Sequence, residues 1–142
     1  MSPALNSPAE IHRWCRNFPG THDQIRAARQ FVAGYLGDHP ETDTARLVVS
    51  ELATNAIRHT RSGLPGGRFC VTVLAGTSLL ILSVLDEGGP TTPRLCQAHG
   101  EDQNGRGLHL IETLTTRWGV HGDQTGRTVW ALIPLSPVGP GT

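Results

Sequence analysis

The 142-residue sequence contains no lysine; all twelve of its basic residues are arginine. That absence excludes two chemistries at once. A P-loop needs its lysine to reach the β- and γ-phosphates, and Schiff-base catalysis needs a lysine amine. Charge of one sign is lacking too, since 12 basic residues face 12 acidic ones. Direct binding to nucleic acid or to an anionic membrane surface shows itself as a surplus of positive charge, so neither partner is expected. Cysteine is scarce: Cys15, Cys70 and Cys96 are scattered and odd in number, which fits a reducing cytoplasm rather than a disulfide framework. There is no long hydrophobic run. The longest apolar stretch, Leu79 to Leu85, is broken by Ser83 and falls far short of the roughly 20 residues that cross a bilayer. The N-terminus lacks the apolar core of a signal peptide. No Gly-x-Ser-x-Gly elbow occurs, and the histidines show neither His-x-x-x-His spacing nor the cysteine pairing of a zinc site. What remains is a cytoplasmic single domain long enough to bury a real core.

Residues 1–10 and 136–142 are rich in Pro, Ser and Gly and read as flexible tails around a domain at 11–135. Arg13 to Phe18 suits a first strand, stopped by Pro19-Gly20. Thr21 then reads as a helix N-cap with Gln24 as its capping-box partner. Ile25, Ala28, Val32, Tyr35 and Leu36 follow at helical spacing, and Gly37 ends that helix. Thr42 is a second N-cap candidate, for a helix running to about His59. Strands are expected at Arg68 to Ala75 and Ser78 to Leu85, joined by Gly76-Thr77 as a two-residue hairpin turn. Residues 89–104 have no useful period and read as a long loop of the kind that often serves function. Gly105-Arg106-Gly107 opens a third helix, Leu108 to about Thr115. A last hairpin joins Trp118 to His121 with Arg127 to Pro134. The order β-α-α-β-β-loop-α-β-β predicts an α/β two-layer sandwich: a mixed, mostly antiparallel sheet with three helices on one face.

Four constellations stand out. In Ser50-Glu51-Leu52-Ala53-Thr54-Asn55, a carboxylate and a carboxamide sit four apart inside an apolar helical pattern, so they share one face. Taken alone, this is an amphipathic helix with a polar side. Asp86-Glu87-Gly88-Gly89 ends an apolar strand. An Asp there can simply start a turn, or its carboxylate can accept a hydrogen bond from an exocyclic amine while glycine lets a flat ring approach. Asn104-Gly105-Arg106-Gly107-Leu108 enters a helix, where free N–H groups and the helix dipole favour anionic oxygen. It is not the dinucleotide fingerprint, because Leu110 occupies the last glycine position. Gly126-Arg127-Thr128 starts the last strand, where Thr128 also satisfies ordinary β-propensity.

The four occur in one order: Glu-x-x-x-Asn on a helix, Asp-x-Gly after a strand, Gly-x-Gly opening a helix, and Gly-x-Thr on a final strand. Together they resemble the Bergerat ATP-binding fold, shared by histidine kinases, type II topoisomerases and MutL. VVSELATNAIRHT, VLDEGGPTTPR and GRGLHLIETLTTRWGV are similar to the boxes of the small RsbW-like anti-sigma factor serine kinases and actinobacterial ATP-binding proteins. The resemblance covers residues 13–135. It implies that Asn55 coordinates the Mg²⁺ that bridges the ATP phosphates and that Glu51 is the general base. It gives Asp86 the adenine amine, sets Gly88 beside the ring, and has Thr128 support that end. Gly105, Arg106, Gly107 and Leu108 would line the phosphates, with residues 89–104 as lid and with Arg58 and His59 in supporting roles. One departure is Pro90, where the superfamily pattern Asp-x-Gly-x-Gly has its second glycine; it fixes φ and removes a donor.

The resemblance implies an anti-sigma factor that is also an ATP-dependent serine/threonine kinase. It would hold a sigma factor, phosphorylate a STAS-domain anti-anti-sigma protein, regulate transcription by partner switching, and form a homodimer. The rival is a non-catalytic protein-binding module of the same fold that sequesters a sigma factor or other regulator. A switch kinase acting on a phosphatase would carry the same motifs. A sensor histidine kinase fragment is disfavoured, because no helical hairpin with a phosphoacceptor histidine precedes the domain.

Overall fold

The structure is a computed structural model and describes residues 11–89 and 115–136. Five strands, β1 (His12–Pro19), β2 (Arg68–Ala75), β3 (Leu79–Asp86), β4 (Arg117–Asp123) and β5 (Gly126–Pro134), accompany two α-helices, α1 (Gln24–Leu36) and α2 (Thr42–His59). A 3₁₀ turn, Arg61–Gly63, follows α2. The strands form one sheet in the order β1-β2-β3-β5-β4. Every pairing is antiparallel, so the expected mixed sheet is corrected to an antiparallel one among the described residues. Two of the three expected helices are present there. The third, opening at Gly105-Arg106-Gly107, lies outside the described residues, as do residues 1–10, residues 137–142 and nearly all of the long loop.

Alternation decides the layers. Phe18, Phe69, Val71, Val73, Leu80, Leu82, Val84, Val129, Ala131 and Ile133 are buried on one sheet face, while their strand neighbours are more exposed. Against them lie Ala45, Val48, Val49, Leu52, Ala53, Ala56 and Ile57 of α2 and Ala28, Val32 and Leu36 of α1. Phe18 stacks on Phe69 with ring centroids 5.4 Å apart and meets Phe31 of α1 edge-on. Helix α2 packs across β2, β3 and β5, and α1 packs on α2 and β1. This is the two-layer arrangement that the element order predicts.

The caps differ from expectation. The first helix begins at Gln24 with Asp23 as N-cap and no side-chain cap bond. Thr21 instead accepts the Gln24 N–H through its carbonyl, so no capping box forms. Thr42 is the first residue of α2 rather than its cap; its hydroxyl donates back to the His39 carbonyl at 2.8 Å. Gly37 does end α1, at φ 58°. Strands β2 and β3 leave Gly76, Thr77 and Ser78 between them, and the turn centres on Thr77-Ser78 rather than on the expected Gly76-Thr77. There the Gly76 N–H donates to the Leu79 carbonyl.

Candidate functional site

Helix α2 carries Glu51 and Asn55 one turn apart, both half-buried, between the fully buried Leu52, Ala53 and Ala56. A four-residue step keeps them on the same side of the helix. Burial pushes the Glu51 carboxyl above its ordinary value, and the charge of Arg58, about two turns on, pulls the other way. Arg58 is exposed and His59 half-buried at the helix end. His59 Nε2 is buried with no hydrogen-bond partner among the described residues.

The segment that follows α2 clamps the end of β3. The Arg61 N–H donates to the Gly88 carbonyl at 2.7 Å, and its Nη1 donates to the Gln124 carbonyl at 2.9 Å. Ser62, fully buried, accepts the Glu87 N–H on its Oγ at 3.0 Å. Glu87 Oε2 in turn accepts the Arg68 N–H at 2.9 Å. Residues Asp86 to Gly89 are therefore a strap held between the end of α2 and the β4–β5 turn. Gly88 must be glycine there: its φ is +77°, and an added Cβ would lie 2.0 Å from the Gln124 carbonyl oxygen.

Asp86 lies on the helix-covered face with Leu80, Leu82 and Val84, and is 4% exposed. Its Oδ1 accepts the Gly88 N–H at 2.7 Å. Burial raises its pKa; the Gly88 N–H and then the charge of Arg127 oppose that rise. Directly across the β3–β5 ladder stands Arg127, 2% exposed, with Nε 3.9 Å from Asp86 Oδ1.

Three of the expected residues thus lie on two elements that pack together, Glu51 and Asn55 on α2 and Asp86 at the end of β3, with Gly88 following Asp86. Thr128 does not join them. It pairs across the ladder with exposed Leu85, and side chains alternate along a strand, so it lies on the opposite sheet face. The position facing Asp86 is Arg127, which sequence reasoning passed over. Its signal was available: Val129 and Ala131 are core residues, so the same parity turns residue 127 inward. Gly105, Arg106, Gly107, Leu108 and Pro90 lie outside the described residues.

A groove of about 490 Å³ between α1 and α2 is lined by Arg26, Arg29, Gln30, Asp43, Arg46 and Leu47. Arg46 is 3.5 Å from Asp43, and Leu47 is 41% exposed among the arginines. Among the described residues no group of three or more His, Cys, Asp or Glu is placed to hold a metal ion. No helix among them is long and apolar enough to cross a membrane.

The family model of the histidine kinase-like ATPase domain matches residues 18–133, from the end of β1 almost to the end of β5. No curated protein matches the chain.

Proposed function

The chain belongs to the histidine kinase-like ATPase family, and on that premise we propose that it is an ATP-dependent serine/threonine kinase and anti-sigma factor. ATP binding is the function this domain carries. The finer reading adds a STAS-domain protein as phosphoacceptor, a sigma factor as the partner held or released, and a homodimer as the working form. The observation that supports transfer is the Glu51–Asn55 pair. A half-buried carboxylate with a raised pKa suits a general base, because its proton affinity moves toward the working pH. A carboxamide one turn on, beside it, adds a neutral oxygen ligand.

The donor set suits magnesium in one specific way. This ion keeps several waters and takes one or two protein oxygens plus phosphate oxygens rather than a protein cage. A single carboxamide, without a cluster of three ligating side chains among the described residues, fits that habit, with Asn55 as the ligand. When bound, the ion neutralises charge on the β- and γ-phosphate oxygens. The chain's own groups do the rest. Asp86 accepts the exocyclic amine of adenine. Gly88 leaves room beside the ring. The Gly105-Arg106-Gly107-Leu108 segment contributes N–H groups and a guanidinium to the phosphates. Glu51 takes the proton of the acceptor hydroxyl as its oxygen bonds to the γ-phosphorus and the bond to the ADP oxygen breaks. The arginine groove between α1 and α2, with Leu47 at its centre, suits an acidic protein segment carrying one apolar anchor.

Calorimetric titration with ATP, with and without Mg²⁺, tests the reading. Asp86→Asn is expected to weaken binding by at least about tenfold, since a hydrogen bond to a charged group contributes about 1.5–3 kcal/mol. Asn55→Ala is expected to remove the magnesium dependence. Glu51→Ala is expected to bind ATP and fail to label a STAS protein from γ-labelled ATP. Binding without transfer in the unaltered protein would favour the sequestering module instead.

A further inference from the structure

A fully buried arginine beside a carboxylate assigned to read a base calls for a physical account. Asp86 and Arg127 are register partners at the last rung of the β3–β5 ladder, 4% and 2% exposed. The guanidinium extends beyond Asp86: a Cβ built on Gly89 would lie 3.3 Å from Arg127 Nη2 and 3.3 Å from the His59 carbonyl oxygen. Arg127 therefore runs from the carboxylate, past the strap, toward the C-terminal end of α2. Its charge is permanent, because guanidinium does not lose its proton in proteins.

The charge state of Asp86 decides what it can recognise. An ionised carboxylate only accepts hydrogen bonds, whereas a protonated one also donates. A 6-amino purine presents a donor at that edge, and a 6-oxo purine presents an acceptor. Burial drives Asp86 toward the protonated form, which would tolerate either base; the Gly88 N–H and Arg127 work against that drift. The Gly88 contact is a backbone hydrogen bond that any occupant of position 127 would leave in place. Position 127 adds a backbone hydrogen bond, which any residue but proline would also keep, and the charge of its side chain.

We propose that Arg127 is a positioning residue for base selection: its charge, buried beside Asp86, keeps the carboxylate an obligatory acceptor, so the site takes 6-amino purine nucleotides and rejects 6-oxo ones. This rests on the reading of Asp86 as the adenine-facing group. Other titratable or charged groups are carried by the surrounding elements: Arg58 and His59 by α2, Arg61 by the 3₁₀ turn, Arg68 by β2, Glu87 by the strap, and His121 and Asp123 by β4. Of these, His59 and His121 are the imidazoles, and His59→Gln and His121→Gln serve as controls.

The experiment compares ATP with ITP, which carries the 6-oxo purine, by calorimetry between pH 5.5 and 8. Arg127→Met and Arg127→Gln remove the charge; Arg127→Lys keeps it. In the unaltered protein a clear preference for ATP is expected, weakening only toward acid pH. In the two neutral variants the preference is expected to narrow by about tenfold, with the acid loss of ATP affinity moved up by about one pH unit, one unit of pKa being a tenfold change. Arg127→Lys is expected to restore both, and the histidine controls to leave both unchanged. An unaltered preference and pH profile in folded neutral variants would overturn the proposal and leave Arg127 a structural residue. If the neutral variants do not fold, Arg127→Lys decides: preference retained supports the charge argument, and preference lost in a folded protein overturns it. If the unaltered protein binds neither nucleotide, the ATP reading fails separately. The action on Asp86 is then read from carboxyl ¹³C titration of Asp86 in the unaltered protein and in Arg127→Met. An upward shift in the variant supports it, and coincident curves overturn it.

Discussion

Glu51 costs the fold something that its proposed role requires. Its carboxyl is raised by burial above the ordinary 4.5, with Arg58 only partly offsetting that. A folded-state pKa above the unfolded one means that the stabilising contribution is complete below the unfolded value and is lost as pH rises through the folded value. At neutral pH the ionised side chain is therefore a burden. Glu51→Gln is expected to raise the thermal midpoint at pH 7 by a few degrees at most, with the difference closing below about pH 4.5. Thermal unfolding at pH 7 and pH 4, alongside a transfer assay that the variant fails, checks both halves. At this scale the places of Glu51 and Asn55 on a helix and of Asp86 at a strand end were legible, because polar residues interrupting an apolar pattern announce themselves. Arg127 was harder to see. It sits in a turn-like Gly-Arg-Thr, and only the parity of a strand whose core residues lie beyond it tells which of Arg127 and Thr128 faces inward.

Between the residue and the molecule lies the joint after α2. Ser62 is fully buried, and its Oγ is the acceptor for the Glu87 N–H. The backbone around it is packed without slack: a Cβ on Gly20 would fall 1.6 Å from the Ser62 carbonyl oxygen, one on Gly67 2.2 Å from the same atom, and one on Gly63 1.9 Å from the Ile57 carbonyl oxygen. Ser62→Ala leaves the Glu87 N–H without its acceptor and is expected to destabilise by about 1–3 kcal/mol in urea unfolding. It should also weaken nucleotide binding, because the strap that carries Asp86 and Gly88 loses its tether. The strands and helices around this joint were legible to within a residue or two, since period 2 and period 3.6 survive in the sequence. Caps and turns were not. Thr21 and Thr42 have the right chemistry for N-caps, but tertiary packing sets each helix start elsewhere, and a hydroxyl that can cap can equally bond back to a loop carbonyl.

On the scale of the whole molecule, one antiparallel sheet bears helices on one face, and the expected layer order holds. The proposed site draws on α2, β3 and β5, so a ligand there joins three elements of the same core. Ligand binding to the folded state alone adds RT ln(1 + [L]/Kd), about 2.7 kcal/mol at a hundredfold excess over Kd. Saturating ATP with Mg²⁺ is expected to raise the thermal midpoint by roughly 10 °C in a domain of this size, and Asp86→Asn to remove most of the rise. Which pairings the sheet would use was less legible. Hairpins at β2–β3 and β4–β5 follow from adjacency, but the β3–β5 pairing spans a long intervening stretch that no local pattern encodes.

That pairing bears on how the molecule is made. The hairpins β2–β3 and β4–β5 are local and close at small entropic cost, whereas β1–β2 and β3–β5 each close a long loop, from Pro19 to Arg68 and from Asp86 to Arg127. Asp86 and Arg127 are the rung nearest the second of these loops. The two charges therefore stay in water until these strands meet, and their desolvation falls at a step that already carries a large loss of chain entropy. The Asp86–Arg127 rung is thus made from non-local contacts, so a nascent chain acquires it only after β5 is free to dock.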